Sequence, residues 1–430
     1  MTSSISGGRP ISDSAVELRR GAVIELVIER PAFGGDVLGY APDGRVVFVR
    51  GAAPGDRVRV RLTRVKKRFA RSVLLDVLDA PRRAETFCPH LDTCGGCPWQ
   101  RVPVPAQRAA LSAHLGRTLS QATGASVAPA PIHGPTETMG WRSTARVHWR
   151  QGALGFFGAG GQTVVDIDHC PVFSPTLAAL YTAVRRQLAP QLKGSGTLRL
   201  SASPSAESGT VSLTLPPADG ASMAAVERFV ASADACHGAV VGQGGARTVF
   251  GRDHNVFGAA HVGHPAESFV QAHQPGNAAL AAEVVDRLAD AKAVIELYAG
   301  SGNLSLALAE AGVSVTAVEI DPAAAAALNQ TAMDRGLAGR LRAIAGDAGD
   351  LPPGPFDCAL IDPPRSGAAD ALEGLCCTGV TRLLYVSCDA ATLGRDVRDL
   401  VARGWRVEHA RAYDLFPHTG HVEALVELRR

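Results

Sequence analysis

Three short segments near the C-terminus hold the residue types that make and break covalent bonds. They are Asp362-Pro363-Pro364-Arg365, Tyr385-Val386-Ser387-Cys388-Asp389 and Phe416-Pro417-His418-Thr419-Gly420-His421-Val422-Glu423. Cys388 follows the apolar run RLLYV, so it falls at a strand tip, and polar residues surround it in the turn that follows. A thiol in that setting reads as a nucleophile for covalent catalysis, not as core filling. Cys236, Cys358, Cys376 and Cys377 read as small buried hydrophobes. A nucleophile of this kind needs a proton acceptor nearby. Glu423 lies between Val422 and Ala424 in a run that continues LVEL, which suggests an inward-facing carboxylate at the start of a strand. His418 and His421 are rivals for the same task.

These groups need a scaffold that brings them together. From about residue 261 the chain alternates helices (NAALAAEVVDRLADA, LSLALAEAG, DPAAAAALNQTAMDRG) with apolar strands (AVIELY, VSVTAVEID, FDCALIDPP, TRLLYVSC). Alternation of this kind predicts a parallel, doubly wound sheet. Such sheets bind ligands at the carboxyl ends of their strands, where each of these motifs falls. Glu296-Leu297-Tyr298-Ala299-Gly300-Ser301-Gly302-Asn303 joins a strand to its helix, and glycines there let the backbone approach a ligand. Glu319 ends the next strand, where a carboxylate can accept hydrogen bonds from both ribose hydroxyls. A nicotinamide fingerprint would place a third glycine where Ser305 stands. S-adenosylmethionine has no pyrophosphate and needs no such approach. Glu296, just before the Gly-rich turn, suits it too, so the site reads as that of a methyltransferase.

The rest of the 430-residue chain supports two or three domains. Residues 1–14 are small, polar and unpatterned, which predicts disorder. Residues 15–80 alternate as short strands punctuated by Gly and Pro, which predicts a small β-barrel. Net charge is only +2, yet Arg57 to Arg71 carries eight basic residues and no acidic one, a candidate RNA-facing surface. Residues 81–260 mix strands and helices and hold Cys88, Cys94 and Cys97, with Cys170 much later. Four thiolates suit zinc or an iron–sulfur cluster. An odd total of nine cysteines, no signal-peptide core and no long apolar run together predict a cytoplasmic protein without disulfides.

The motifs DPPR, YVSC-x-x-x-T-L-x-R-D and DLFPHTGHVE resemble those of the RNA uracil-C5 methyltransferase family. The segment FGGDVLGYAPDGRVVFVRGAAPGDRVRVRL is similar to a TRAM domain, and the cysteine spacing to the [4Fe-4S] site of the TRAM-bearing members. The resemblance implies a multidomain fold: an OB-like TRAM barrel, a central α/β domain with a metal cluster (81–260), and a Rossmann-like class I methyltransferase domain (261–430). It implies 5-methyluridine formation from S-adenosylmethionine, with ribosomal RNA favoured as substrate and transfer RNA the alternative. Uracil C5 is a poor nucleophile, and thiolate addition at C6 makes it an enolate that can attack a sulfonium methyl group. By the resemblance Cys388 is that thiolate and Glu423 takes the C5 proton. Gln271, Tyr298, Asn303, Glu319, Asp347 and Asp362 form the cofactor site, and Cys88, Cys94, Cys97 and Cys170 hold the cluster. Two positions depart from the family pattern. Ala299-Gly300 stands for Cys-Gly, and Cys388-Asp389-Ala390 for Cys-Asn-Pro. Asn277 follows Gln271 at a longer spacing than usual. Two rivals are an inactive RNA-binding or chaperone-like protein and a radical enzyme. The fourth cysteine argues against the second, since radical enzymes leave one iron free.

Overall fold

A computed structural model describes residues 18–257 and 262–430, so the expectation of disorder over 1–14 lies outside the described residues. Two compact units result, one gathering the chain up to Phe87 with Cys97–Ala110 and His418–Gly420, the other the remainder.

In the first unit β1 (Val23–Pro31), β2 (Val37–Tyr40), β3 (Val46–Val49), β4 (Arg57–Val65) and β5 (Phe69–Asp79) close a barrel in the order β1-β2-β3-β5-β4. Period-2 alternation drives it: Val58, Val60 and Leu62 of β4 are buried while the arginines between them face out. The basic run is therefore on the barrel surface, but not uniformly free. Arg57 and Arg59 pair with Glu25, Arg59 also with Asp76, and Arg71 with Asp36. Among the described residues no carboxylate pairs with Arg64, Lys66, Lys67 or Arg68, at and beyond the end of β4. Trp99 fixes the appended segments: its indole donates to the Asp36 carbonyl (3.2 Å), and its backbone N–H to His418 (2.9 Å).

The second unit contains two sheets. Helix α1 (Val104–Thr123), whose first residues belong to the first unit, leads to β6 (Ala130–His133). Then β7 (Thr144–Arg150), β8 (Ala153–Phe157), β9 (Val164–Asp166), β10 (Ser195–Ser201), β11 (Gly209–Leu215), β12 (Cys236–Gln243) and β13 (Ala246–Gly251) form a seven-stranded sheet, ordered β13-β12-β11-β10-β7-β8-β9. A hairpin of β14 (His254–Phe257) and β15 (Val262–Pro265) follows. The second, eight-stranded sheet runs β18-β17-β16-β19-β20-β22-β21-β6. Its parallel part is β16 (Ala293–Leu297), β17 (Ser314–Glu319), β18 (Leu341–Ala345), β19 (Cys358–Ile361) and β20 (Arg382–Ser387). The antiparallel strands β21 (Arg406–Tyr413) and β22 (Glu423–Arg429) follow, and β6 joins at the edge. Strands β16, β19 and β20 read as near-continuous apolar runs because helices cover the sheet.

Register places the site. Leu297 pairs with Val318, so the turn after β16 abuts the tip of β17. Ser387 at the end of β20 pairs with Ala424 of antiparallel β22, which sets residue 388 beside residue 423. In the Gly-rich turn Gly302 has φ +90°, and a Cβ there would lie 2.2 Å from a methyl of Leu328, itself 0% exposed. Gly302→Ala is expected to cost about 2–4 kcal/mol, from left-handed strain and overpacking together. A urea titration checks this as a fall in the unfolding midpoint at unchanged slope.

Candidate active site

One cavity of about 1390 Å³ opens at the carboxyl ends of the parallel strands. Gln271, Tyr298, Asn303, Glu319, Asp347, Asp362, Cys388 and Glu423 all line it. The eight residues singled out from the sequence therefore meet in one place, although they come from separate strand ends, turns and one loop.

At the cofactor end, Glu319 is held by backbone donors. Its two oxygens accept from Gly300 N–H at 2.7 Å and Asp321 N–H at 2.9 Å. Each oxygen keeps a lone pair for a ribose hydroxyl. Tyr298 adopts φ +62°, a strained conformation for a side-chain-bearing residue. Asn303 opens helix α2 (Asn303–Glu310), which follows the Gly-rich turn. It makes two reciprocal amide hydrogen bonds with Asn277, at 2.8 and 2.9 Å. Asn277 thus belongs to the site despite its unusual spacing, because His273 caps the helix that carries it and sets its phase. Glu296 does not line the cavity. It is 2% exposed, and the Ser305 hydroxyl donates to it. Burial pushes its carboxyl up to about 8 against that hydrogen bond. Ser305, the residue that breaks the nicotinamide fingerprint, is thus the partner of the acid before the turn.

At the reacting end, Glu423 is 1% exposed. Gln271 Nε2 donates to its Oε2 at 3.4 Å, while its Oε1 has no hydrogen-bond partner. Burial first, then the Asp362 charge, push its carboxyl up to about 8. Burial likewise raises Asp362 to about 6. The Cys388 thiol is pushed up to about 11 by burial, with Glu423 and Asp362 adding to the effect and Arg365 opposing it. Arg365, from the DPPR segment, is the cation that favours the thiolate, a task its motif alone does not reveal. Asp389 caps helix α3 (Ala390–Ala402), accepting from Ala391 N–H at 2.9 Å and Thr392 N–H at 3.1 Å. The change from Cys-Asn-Pro to Cys-Asp-Ala is therefore structurally quiet. Asp and Asn are equivalent caps, and Ala is accepted at the first helical position that Pro also favours. Cys388 sits just before that helix N-terminus, whose dipole favours a thiolate.

Neither rival base lines the cavity. His418 belongs to the first unit, where Gln107 contacts both its backbone N–H (2.9 Å) and its Nδ1 (3.2 Å). His421 is exposed. The four cysteines expected to hold a metal are all unbridged. Cys170 lies within electrostatic reach of Cys88 and Cys94, and burial raises its thiol to about 11, whereas Cys97 belongs to the first unit. Among the described residues no three His, Cys, Asp or Glu side chains converge closely enough to hold a metal ion. The four cysteines are therefore not gathered as a single-point ligand set among the described residues. No described helix is long and apolar enough to cross a membrane.

Comparison with known proteins bears on the same residues. Residues 17–75 match the TRAM domain family, 294–363 a methyltransferase domain, and 340–430 the tRNA (Uracil-5-)-methyltransferase family. The chain is 34% identical to a 23S rRNA (uracil(1939)-C(5))-methyltransferase of Chromohalobacter salexigens, over 94% of this chain and 89% of that protein. It is 32% identical to the Salmonella typhimurium protein of the same description, over 90% and 92%. Among solved structures, the tRNA (uracil-54, C5)-methyltransferase of Pyrococcus abyssi in complex with S-adenosyl-L-homocysteine superposes with a TM-score of 0.74 at 20% identity. That alignment covers 94% of this chain and all of the other, and establishes the shared fold.

Raised carboxyl values have a consequence for stability. The folded protein holds a proton on Glu423 that the unfolded chain releases above its ordinary value of 4.5. The stability this contributes is complete below that value and is lost as pH rises towards about 8. Glu423→Gln removes that loss. Thermal melts from pH 5 to 9 are expected to show wild type declining relative to the variant over this window, and parallel curves would refute the burial argument.

Proposed function

The chain belongs to the RNA uracil-C5 methyltransferase family, and from that membership we propose that it forms 5-methyluridine at an unpaired uridine of ribosomal RNA, with Cys388 as nucleophile and Glu423 as proton acceptor. The reading is carried by one observation: the thiol, the buried carboxylate and the cofactor residues line a single cavity. The bacterial relatives described as acting on 23S rRNA favour ribosomal over transfer RNA.

S-adenosylmethionine, when bound, supplies a methyl group made electrophilic by its sulfonium sulfur. Glu319, clamped by Gly300 and Asp321, accepts the ribose hydroxyls, and the Asn277–Asn303 pair stiffens the turn beside them. Asp347 and Asp362 complete the cofactor side. The Cys388 thiolate, favoured by Arg365 and the helix N-terminus, adds to uracil C6, and the ring electrons move to O4. C5 of the enolate then takes the methyl group, the carbon–sulfur bond electrons staying with the departing thioether, S-adenosylhomocysteine. Glu423, oriented by Gln271, removes the C5 proton, the C6–sulfur bond breaks, and the 5,6 double bond and the thiolate return. The order matters electrostatically. Thiolate and carboxylate disfavour each other in a water-poor cavity. Addition to C6 moves the sulfur's charge to O4, and methyl transfer from the sulfonium cancels it, so Glu423 can stand as a carboxylate when the C5 proton must leave. The uridine must be unstacked for sulfur to reach C6.

Cys88, Cys94, Cys97 and Cys170 are read as ligands of a [4Fe-4S] cluster. Thiolate-only donors suit iron–sulfur chemistry. A single zinc would draw four sulfurs to about 2.3 Å from one point. Cys88, Cys94, Cys97 and Cys170 would supply the cluster's thiolate ligands, and Cys170 lies within electrostatic reach of Cys88 and Cys94. The role of the cluster is structural, since methyl transfer consumes no electron.

The RNA of cells lacking the gene should lack one 5-methyluridine in 23S rRNA. Wild type should restore it; Cys388→Ala should not, while binding S-adenosylmethionine with unchanged affinity. Restoration by Cys388→Ala would end the covalent mechanism. Anaerobically purified protein is expected to contain about four irons and four sulfides per chain, lost together in Cys88→Ala/Cys170→Ala. Stoichiometric zinc in place of iron would overturn the cluster.

A further inference from the structure

Part of the cavity lining comes from the other sheet and the hairpin, and the methyl transfer assigns those residues no task. Arg146 of β7 and Arg199 of β10 both belong to it, as does His264 of β15. Arg146 and Arg199 are directly opposed in the antiparallel register of β7 and β10, so their side chains leave the same face of the sheet. Like charges opposed across a ladder destabilise it unless something neutralises them. Among the described residues neither guanidinium has a carboxylate partner; Arg199 donates only to the Ser268 carbonyl, at 3.0 Å. Arg199 is half-buried, and burial and the neighbouring Arg146 both disfavour its charge. His264 is 6% exposed, and its Nδ1 has no hydrogen-bond partner. A buried polar atom of this kind is normally satisfied, by protein, water or ligand.

We infer that Arg146, Arg199 and His264 form a subsite for the RNA phosphodiester adjoining the target uridine. Two guanidiniums present parallel N–H donors that match phosphate oxygens. A phosphate between them would neutralise the opposed pair, and His264, as the Nδ1–H tautomer, would donate a further hydrogen bond. The occupant is continuous with the reacting centre, because Cys388 and Glu423 line the same cavity. A flipped uracil at Cys388 requires its backbone to be held close by, and Arg365, the other arginine lining the cavity, is engaged with the thiolate. This inference rests on the reading of the substrate as RNA.

The test compares two RNA stem-loops with one unpaired uridine, identical except that the second carries a neutral methylphosphonate linkage beside that uridine. Wild type should bind the native loop roughly tenfold or more tightly than the modified one. Arg146→Ala/Arg199→Ala should bind the native loop as weakly as wild type binds the modified one, and the linkage should then make no further difference. Its salt slope for native RNA should fall by about 1.4, from two lost single-strand phosphate contacts. Where the double variant does not fold, Arg146→Ala alone, at an exposed position, should lower the slope by about 0.7. Affinity for S-adenosylmethionine should be unchanged. A variant that still discriminates the two loops as wild type does would overturn the subsite. So would a parallel loss of cofactor affinity, which would put the arginines on the methionine carboxylate. These measurements need no turnover, so they stand or fall separately from the methylation assay.

Discussion

A carboxyl group with almost no water around it governs this structure. Glu423 is 1% exposed, one of its oxygens has no hydrogen-bond partner, and its nearest charged neighbours include another acid, Asp362. An ionised carboxylate is poorly tolerated there, so the site holds protons near neutrality and yields them one at a time. The same shortage of water raises the Cys388 thiol. The antiparallel strand β22 creates this arrangement by laying its first residue beside the tip of a parallel strand. A sheet that stayed parallel to its edge would have brought a strand's last residue to that position instead.

The cofactor turn illustrates the same economy with backbone groups. Glu319 is fixed by two N–H donors, not by a cation, so it stays a hydrogen-bond acceptor and its direction is set before any ligand arrives. Left-handed residues at 298, 300 and 302 bend the chain tightly between β16 and its helix. Ser305 satisfies Glu296 behind the turn, in a position where a third glycine would leave that buried acid without its donor.

Charge on the two units is managed differently. On the barrel, acids neutralise Arg57, Arg59 and Arg71, and exposed pairs of this sort add little stability. Among the described residues this leaves Arg61, Arg64, Lys66, Lys67 and Arg68 of the run without a carboxylate partner. In the cavity, by contrast, two arginines are opposed with no carboxylate partner among the described residues, an arrangement suited to an anionic ligand.

The sequence by itself determined the chemistry and the kind of scaffold. Strand-ending motifs at Cys388 and Asp362, the Gly-rich turn and the alternating barrel segment are local patterns, and periodicity or spacing reports them directly. Tertiary structure decided what no local pattern holds. It separated Glu423 from His418 as candidate bases, because residues five apart in one loop went to different units. It joined Asn277 to Asn303, divided the basic run into paired and unpaired arginines, and exposed Arg146 and Arg199 to the cavity from strands with nothing unusual in their sequence. Burial, pairing and register are sums over distant parts of the chain. A side chain's charge state and partner follow from those sums, and its identity alone cannot supply them.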